Sequence, residues 1–174
     1  MILVYLGLGS NLGQPLRHLA SGLQALQNLP NASLIAVSSI YSTKPIGGPK
    51  QDDYFNLVAL IAYSGTLEQA LTDCQAIENN NLRVRNEHWG PRTLDIDLLY
   101  SPSEVSNTVS LEVPHPRLTE RLFVLSPLLE LPEADTISIN SKTLQEWTAL
   151  QHSQQIQLTC YQWNGKDIVE SNKE

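Results

Sequence analysis

The sequence predicts an α+β fold in which helices cover an antiparallel sheet. Short apolar runs rich in β-branched and aromatic residues indicate four strands, and two intervening segments carry apolar residues at helical spacing. The order along the chain is strand, helix, strand, strand, helix, strand. The 174 residues, of which 41% are apolar, suffice to bury one core without disulfide or metal support.

The N-terminal segment predicts a strand followed by a helix. Residues 2–8 form the apolar run, and Ser10 or Asn11 is expected to cap the helix after it. The helix is indicated by leucines that repeat at helical spacing, namely Leu16, Leu19, Leu23, Leu26 and Leu29. Pro30 is expected to end it.

The middle of the chain completes the predicted sheet. Residues 33–41 and 54–63 indicate two further strands, separated by a loop rich in proline and glycine. Thr66 is expected to cap a second helix over residues 66–79, and a polar loop then leads into a fourth strand over residues 94–100. This βαββαβ order predicts a ferredoxin-like sandwich with C-terminal additions.

The chain divides into a predicted core over residues 1–135 and a C-terminal extension over residues 136–174, both within a single domain. A loop and a helix are expected over residues 113–131. Residues 156–163 are a candidate for an added edge strand, and no function is assigned to the extension.

Charge and cysteine content narrow the class of protein. The net charge of −7 argues against nucleic acid or an anionic membrane as the main partner. Cys74 and Cys160 are far apart and lack ligand spacing, so neither a disulfide framework nor a zinc site is expected. No apolar run approaches the roughly 20 residues that span a bilayer. The sequence predicts a cytoplasmic monomer.

The sharpest chemical signal is the pair Asp95 and Asp97 in the fourth predicted strand. Because side chains in a strand alternate, the two carboxylates share one face, roughly 7 Å apart. The opposite face is formed by Leu94, Ile96 and Leu98. Such a carboxylate pair suits one or two magnesium ions that bridge phosphate oxygens. The alternative is a pair of exposed acids without a ligand.

Arginines are concentrated next to this pair. Five of the six lie between residues 83 and 121, namely Arg83, Arg85, Arg92, Arg117 and Arg121. Guanidinium groups bind phosphate well, so acids for magnesium beside arginines are typical of phosphoryl or nucleotidyl transfer. The alternative is that these arginines pair with neighbouring surface glutamates.

Aromatic and amide residues form a second set, Tyr54, Asn56, Trp89 and Phe123. A flat heterocycle can stack between rings while an amide pairs with its edge. Phe123 as a core residue is the alternative. The glycine-rich segment over residues 7–13 lacks the Rossmann and P-loop spacings and is interpreted as a tight turn. His115 is either a phosphate contact or a surface residue.

Taken together, these segments resemble the hydroxymethyldihydropterin pyrophosphokinase family over about residues 2–131. The matching stretches are Gly7-Leu-Gly-Ser-Asn11, Val37-Ser-Ser-Ile-Tyr41, Asp53-Tyr-Phe-Asn56, Arg83-Val-Arg85, Trp89-Gly-Pro-Arg-Thr-Leu-Asp-Ile-Asp97, Val113-Pro-His-Pro-Arg117 and Arg121-Leu-Phe-Val-Leu125. The stretch beginning at Trp89 is the most specific, because it combines both acids with Arg92. Leu82, Asn86 and His88 depart from the family pattern.

The resemblance implies transfer of pyrophosphate from ATP to 6-hydroxymethyl-7,8-dihydropterin, giving AMP and the pterin diphosphate in folate biosynthesis. It implies two Mg²⁺ ions held by Asp95 and Asp97. The implied ATP contacts are Arg83 and Arg92, which also act in catalysis, with Arg85, His115, Arg121, Gln75 and Glu78. The implied pterin contacts are Thr43, Pro45, Ile46, Tyr54, Asn56, Trp89 and Phe123.

Two other functions compete with this one. A two-metal nucleotidyl transferase on the same scaffold would place strand aspartates similarly, but the acidic charge disfavours a nucleic-acid substrate. A non-catalytic small-molecule-binding module would leave Asp95 and Asp97 without a purpose beside the arginines. Fold analogy alone does not separate these options.

Overall fold

The computed structural model describes residues 1–44, 52–81 and 93–171. Its main sheet contains β1 (Ile2–Ser10), β2 (Ala32–Val37), β3 (Tyr41–Thr43), β4 (Tyr54–Tyr63) and β5 (Asp95–Tyr100), with helices α1 (Pro15–Gln27) and α2 (Leu67–Asn80). β4 pairs with β1, β2 and β3, and β1 pairs with β5. All these pairings are antiparallel, which confirms the predicted ferredoxin-like fold.

The remaining elements follow β5. They are β6 (Ser106–Asn107), β7 (Glu112–Val113), α3 (Leu122–Leu128), β8 (Ser138–Ile139), β9 (Lys142–Thr143), α4 (Leu144–Ala149), β10 (Ile156–Leu158), β11 (Tyr161–Trp163) and β12 (Ile168–Glu170), with 3-10 turns at Leu118–Glu120 and Ala134–Thr136. No helix in the described ranges is long and apolar enough to cross a membrane.

The sheet is covered on both faces, so its central strands are apolar on both sides. Leu57, Ala59 and Ile61 of β4 pack in a cluster with residues of α1 and α2. The alternate residues Val58 and Leu60 pack with α3 on the opposite face. The α3 face also carries the cavity described below, which is bordered by Phe123 and Val124.

Two predictions about helix starts had different outcomes. Thr66 caps α2 in a capping box with Gln69, as predicted. The prediction that Ser10 or Asn11 caps α1 was wrong, because α1 begins at Pro15 without a side-chain cap. The Ser10 hydroxyl donates to the carbonyl oxygen of Thr93, and the amide of Asn11 donates to that of Asp52 at 3.1 Å. Both side chains therefore connect the end of β1 to segments that are distant in the sequence.

The strand predicted over residues 33–41 is two strands, because the chain leaves regular pairing between β2 and β3. The added edge strand predicted over residues 156–163 is present as β10, which pairs with β3. Residues 161–170 form the separate β11–β12 hairpin, whose Tyr161 contacts the Phe55 ring edge-on at 6.5 Å between centroids. The proposed division at residue 135 stays a prediction.

Candidate active site

A cavity of about 620 Å³ lies on the α3 face of the sheet. This volume is in the range that small-molecule sites occupy. Eight of the residues predicted from the sequence line it, namely Thr43, Tyr54, Asn56, Asp95, Asp97, His115, Arg121 and Phe123. The structure therefore brings the acidic, basic and aromatic candidates to one place, although they are spread over three separate segments of the chain.

The acidic pair faces the cavity as the strand pattern predicts. Asp95 and Asp97 of β5 border it, while Leu94, Ile96 and Leu98 are buried in the core. On the neighbouring strand β1, Gly9 and Gly7 lie opposite the two aspartates. These glycines therefore form the floor of the cavity beside the carboxylates.

The interpretation of this glycine segment as a turn was wrong for Gly7 and Gly9, because β1 continues to Ser10. Gly9 lies between Asp95 on β5 and Asn56 on β4. A Cβ atom on Gly9 would lie 3.0 Å from the Asn56 side-chain oxygen, which is closer than a normal contact. Glycine at this position therefore keeps the floor open, as expected for glycine inside a strand where another group approaches closely.

The side chain of Glu78 in α2 forms a hydrogen bond with β5, the strand that carries Asp95 and Asp97. Its carboxylate is buried and accepts a hydrogen bond at 2.8 Å from the backbone N–H of Ile96, between the two aspartates. Because β5 is the last strand of the sheet, this N–H faces away from β1 and needs a partner. Gln75 of the same helix is exposed. The predicted nucleotide contacts of Glu78 and Gln75 stay predictions.

Arg121 brings positive charge to the acidic pair. Its Nη1 atom lies 3.6 Å from Oδ2 of Asp97, and its guanidinium lies 5.7 Å from the centre of the Phe123 ring. The Arg121 side chain is only 19% exposed, so solvent screens its charge less than that of a surface arginine. It can therefore offset negative charge on a ligand in the cavity.

At the other end of the cavity, an amide is fixed by a neighbouring hydroxyl. Nδ2 of Asn56 donates to Oγ1 of Thr43 at 3.0 Å, and both residues are buried. Tyr54 lies two residues earlier on β4 and faces the same cavity. The Asn56 amide, held in one orientation by Thr43, thus faces the same cavity as the aromatic rings of Tyr54 and Phe123.

His115 is held in one tautomer. Its backbone N–H donates to the carbonyl oxygen of Leu99 at 2.8 Å, and its Nδ1 accepts from the backbone N–H of Arg117 at 3.1 Å. The proton of the neutral ring is therefore on Nε2. Burial, followed by the charges of Arg121 and Arg117, lowers the pKa of His115 to about 4, and Asp95 acts weakly in the opposite direction.

We expect the His115 ring of the free protein to stay neutral well below its ordinary pKa of 6.5, with a midpoint near pH 4. The folded state then disfavours the proton that the unfolded chain binds. Its contribution to stability is complete above about pH 6.5 and is lost as the pH falls towards 4. Histidine NMR titration of the free protein checks this. A His115 midpoint at or above the ordinary value of 6.5 would contradict the expectation.

Six predicted site residues lie outside the described ranges, namely Pro45, Ile46, Arg83, Arg85, Trp89 and Arg92, and their roles stay predictions. The cavity also has lining residues that the sequence interpretation missed. They are Lys44, Glu120, Ser153 and Gln154, besides the two glycines. Arg117, one of the clustered arginines named above, lines the cavity as well. Glycine inside an apolar run was a usable signal for the floor, but nothing local marks Ser153 or Gln154.

Comparison with known proteins places this site in a family. The sequence profile of 7,8-dihydro-6-hydroxymethylpterin-pyrophosphokinase (HPPK) matches residues 5–133. A Haemophilus influenzae protein named 2-amino-4-hydroxy-6-hydroxymethyldihydropteridine pyrophosphokinase is 40% identical over 146 residues, which cover 84% of this chain and 91% of the relative. A Pseudomonas aeruginosa protein of the same name is 40% identical over 128 residues, covering 74% and 79%.

Solved structures agree on the fold. An HPPK-DHPS in complex with substrates matches with a TM-score of 0.64 at 13% identity, covering 85% of this chain and 43% of that chain. A Plasmodium falciparum HPPK-DHPS triple mutant matches with a TM-score of 0.65 at 12% identity over the same shares. This chain thus spans less than half the length of those structures. With the profile match and the two 40% identical relatives, the chain belongs to the 7,8-dihydro-6-hydroxymethylpterin-pyrophosphokinase family.

Proposed function

We propose that this chain transfers pyrophosphate from ATP to 6-hydroxymethyl-7,8-dihydropterin in folate biosynthesis, giving AMP and the pterin diphosphate. The observation that carries the proposal is one cavity with two distinct ends. Asp95, Asp97 and Arg121 suit a metal-bound polyphosphate at one end, and Asn56 with Thr43 suits the polar edge of a heterocycle at the other.

The acidic pair fits magnesium, which proteins hold with one or two carboxylates while water and substrate phosphates complete its octahedron. The described ranges contain no group of three or more His, Cys, Asp or Glu side chains that could hold a metal. Asp95 and Asp97 therefore suit ions that arrive with ATP, and we propose two. When bound, the ions offset charge on the phosphates and orient them.

The basic groups act on the phosphates directly. Arg121 can stabilise negative charge that develops at the β-phosphate, because its guanidinium lies largely buried beside Asp97. His115 can donate a hydrogen bond from Nε2 to a phosphate oxygen, since its Nδ1 is already occupied. From outside the described ranges, Arg83 and Arg92 are proposed to bind the phosphates and stabilise charge that develops during transfer, and Arg85 to add a further phosphate contact.

The pterin is proposed to stack between Tyr54 and Phe123 with its polar edge on Asn56. Because Asn56 donates to Thr43, its amide is held in one orientation and offers a fixed pattern to the ring. The pterin hydroxymethyl oxygen then forms a bond to the β-phosphorus while the bond to AMP breaks and the alcohol proton is released. Holding the two groups in line supplies much of the rate.

We further propose that the protein acts as a monomer in the cytoplasm. Both cysteines are free thiols, Cys74 buried and Cys160 exposed. An exposed free thiol is compatible with a reducing compartment.

The experiment that tests the function measures AMP formation from ATP and Mg²⁺ with and without 6-hydroxymethyl-7,8-dihydropterin. We expect AMP and a pterin diphosphate in equal amounts, only with both substrates present. The matched control is 6-methyl-7,8-dihydropterin, which lacks the attacking oxygen and should give no product. AMP formation that is the same with and without the pterin alcohol would disprove the assigned acceptor.

A further inference from the structure

Gln154 lies outside the segment that the family profile matches, yet it borders the cavity. Its Oε1 accepts a hydrogen bond from the backbone N–H of Leu122 at 2.9 Å. Its Nε2 donates to the carbonyl oxygen of Glu120 at 2.6 Å and to Oε1 of Gln151 at 2.9 Å. Since a side-chain amide has two N–H donors, both are used within the protein. The Gln154 amide is thus suited to position other groups of the protein, since neither of its N–H donors is left for a ligand.

The two backbone partners of Gln154 lie on either side of Arg121. The backbone at Arg121 is extended, with φ −114° and ψ 104°. In extended backbone, the C=O of the preceding residue and the N–H of the following one point to the same side. The Gln154 amide therefore pairs with this segment as the N–H and C=O of one residue in a neighbouring strand would. This pairing fixes the two backbone angles from which the Arg121 side chain projects.

Gln154 is itself anchored on both sides. Nε2 of Gln151 donates to the carbonyl oxygens of Thr119 at 2.9 Å and Trp147 at 3.3 Å, which joins the end of α4 to the segment before Arg121. Two residues after Gln154, β10 begins and pairs with β3 so that Ile156 lies opposite Thr43. The C-terminal segment thus connects the Thr43 wall of the cavity to the Arg121 wall.

We propose that Gln154 is a positioning residue that holds Arg121 in the orientation required for pyrophosphate transfer. The task given to Arg121 rests on the proposed function. A small movement is enough to disturb this arrangement. Nη1 of Arg121 lies 3.6 Å from Asp97, and a modest backbone rotation would separate them. Displacements of about 1 Å at such a group can lower a rate by roughly a hundredfold.

A double-mutant cycle tests the inference. Gln154→Ala is expected to lower kcat by about tenfold while the KM for the pterin changes by less than about twofold. In the Arg121→Ala background, the same change is expected to lower kcat by less than about twofold, because the group it positions is gone. Gln155→Ala is the matched control, since Gln155 is the same residue type and exposed. It should leave kcat unchanged in both backgrounds.

Hydrogen exchange at the Leu122 amide gives a readout that does not depend on activity. Gln154→Ala should speed this exchange by about tenfold in the free protein, and Gln155→Ala should not. Unchanged exchange, or an equal loss of kcat in both backgrounds, would overturn the inference while the wild-type reaction stands. If the wild type forms no pterin-dependent AMP, the proposed function fails. The cycle is then decided by MgATP affinity from calorimetry, where equal losses in both backgrounds again overturn the inference.

Discussion

Replacing Asp97 with asparagine is expected to lower kcat by about 1,000-fold or more while the fold stays intact. The change removes one negative charge and keeps the shape of the side chain. Asp97 faces the cavity and its side chain is 39% exposed, so no core volume is lost. Loss of one fixed electrostatic group at a reacting phosphate costs about 10²–10³ in rate, and weaker magnesium binding adds to this. Steady-state AMP formation and thermal unfolding measure the two quantities.

Asp135→Asn is the matched control for the charge change. Asp135 is exposed in a 3-10 turn, and its replacement removes the same charge away from the cavity. It should leave kcat unchanged. The Asp97→Asn enzyme should also need more Mg²⁺ to reach its residual rate, because one proposed ligand is weakened. Normal activity with an unchanged Mg²⁺ requirement would disprove the metal-binding role of Asp97.

The parts of the site that the sequence predicted well depend on local periodicity. Asp95 and Asp97 share a face because a strand alternates, whatever it pairs with. Tyr54 and Asn56 follow the same rule on β4, and both border the cavity. Thr66 was recognisable as a cap because the capping box is completed within four residues.

The errors occur where distant residues decide the local structure. Gly7 and Gly9 disfavour a strand by propensity, yet β1 continues through them because it pairs with β4 and β5 on either side. The Ser10 side chain looked like a helix cap but bonds to Thr93, far along the chain. No sequence pattern around residue 10 indicates the strands that pair with β1 or the bond between Ser10 and Thr93.

The part of the cavity wall formed by the C-terminal extension was the least predictable. It includes Gln154, whose partners Glu120 and Leu122 lie more than thirty residues earlier in the chain. Glutamine in a polar segment carries no periodic signal, so only the folded chain reveals the pairing around Arg121. The resemblance to the family likewise ended at about residue 131, before this segment begins.

Replacing Asn56 with leucine is expected to reduce kcat/KM for the pterin by about 1,000-fold and to leave MgATP affinity within about twofold. Asn56 is 7% exposed, so substrate groups that it pairs with would be left buried without a partner. Two such losses at about 2 kcal/mol each give about 4 kcal/mol, or about 1,000-fold. Leucine has the same number and branching of side-chain heavy atoms as asparagine, so the change leaves no cavity. Steady-state kinetics for the pterin and calorimetry for MgATP measure the two effects.

Thr43→Val tests how much of the pterin recognition by the Asn56 amide depends on the fixed orientation of that amide. Valine keeps the shape of Thr43 but removes the oxygen that accepts from Nδ2 of Asn56. The amide remains present but is no longer fixed, so we expect a smaller loss of pterin kcat/KM, about tenfold. Equal losses of pterin and MgATP binding in Asn56→Leu would instead indicate a packing role next to Gly9, whose position lies against the Asn56 oxygen. If the Asn56 amide pairs directly with the pterin edge, Asn56→Leu must lower pterin kcat/KM far more than Thr43→Val does. Both changes must leave MgATP affinity unaffected.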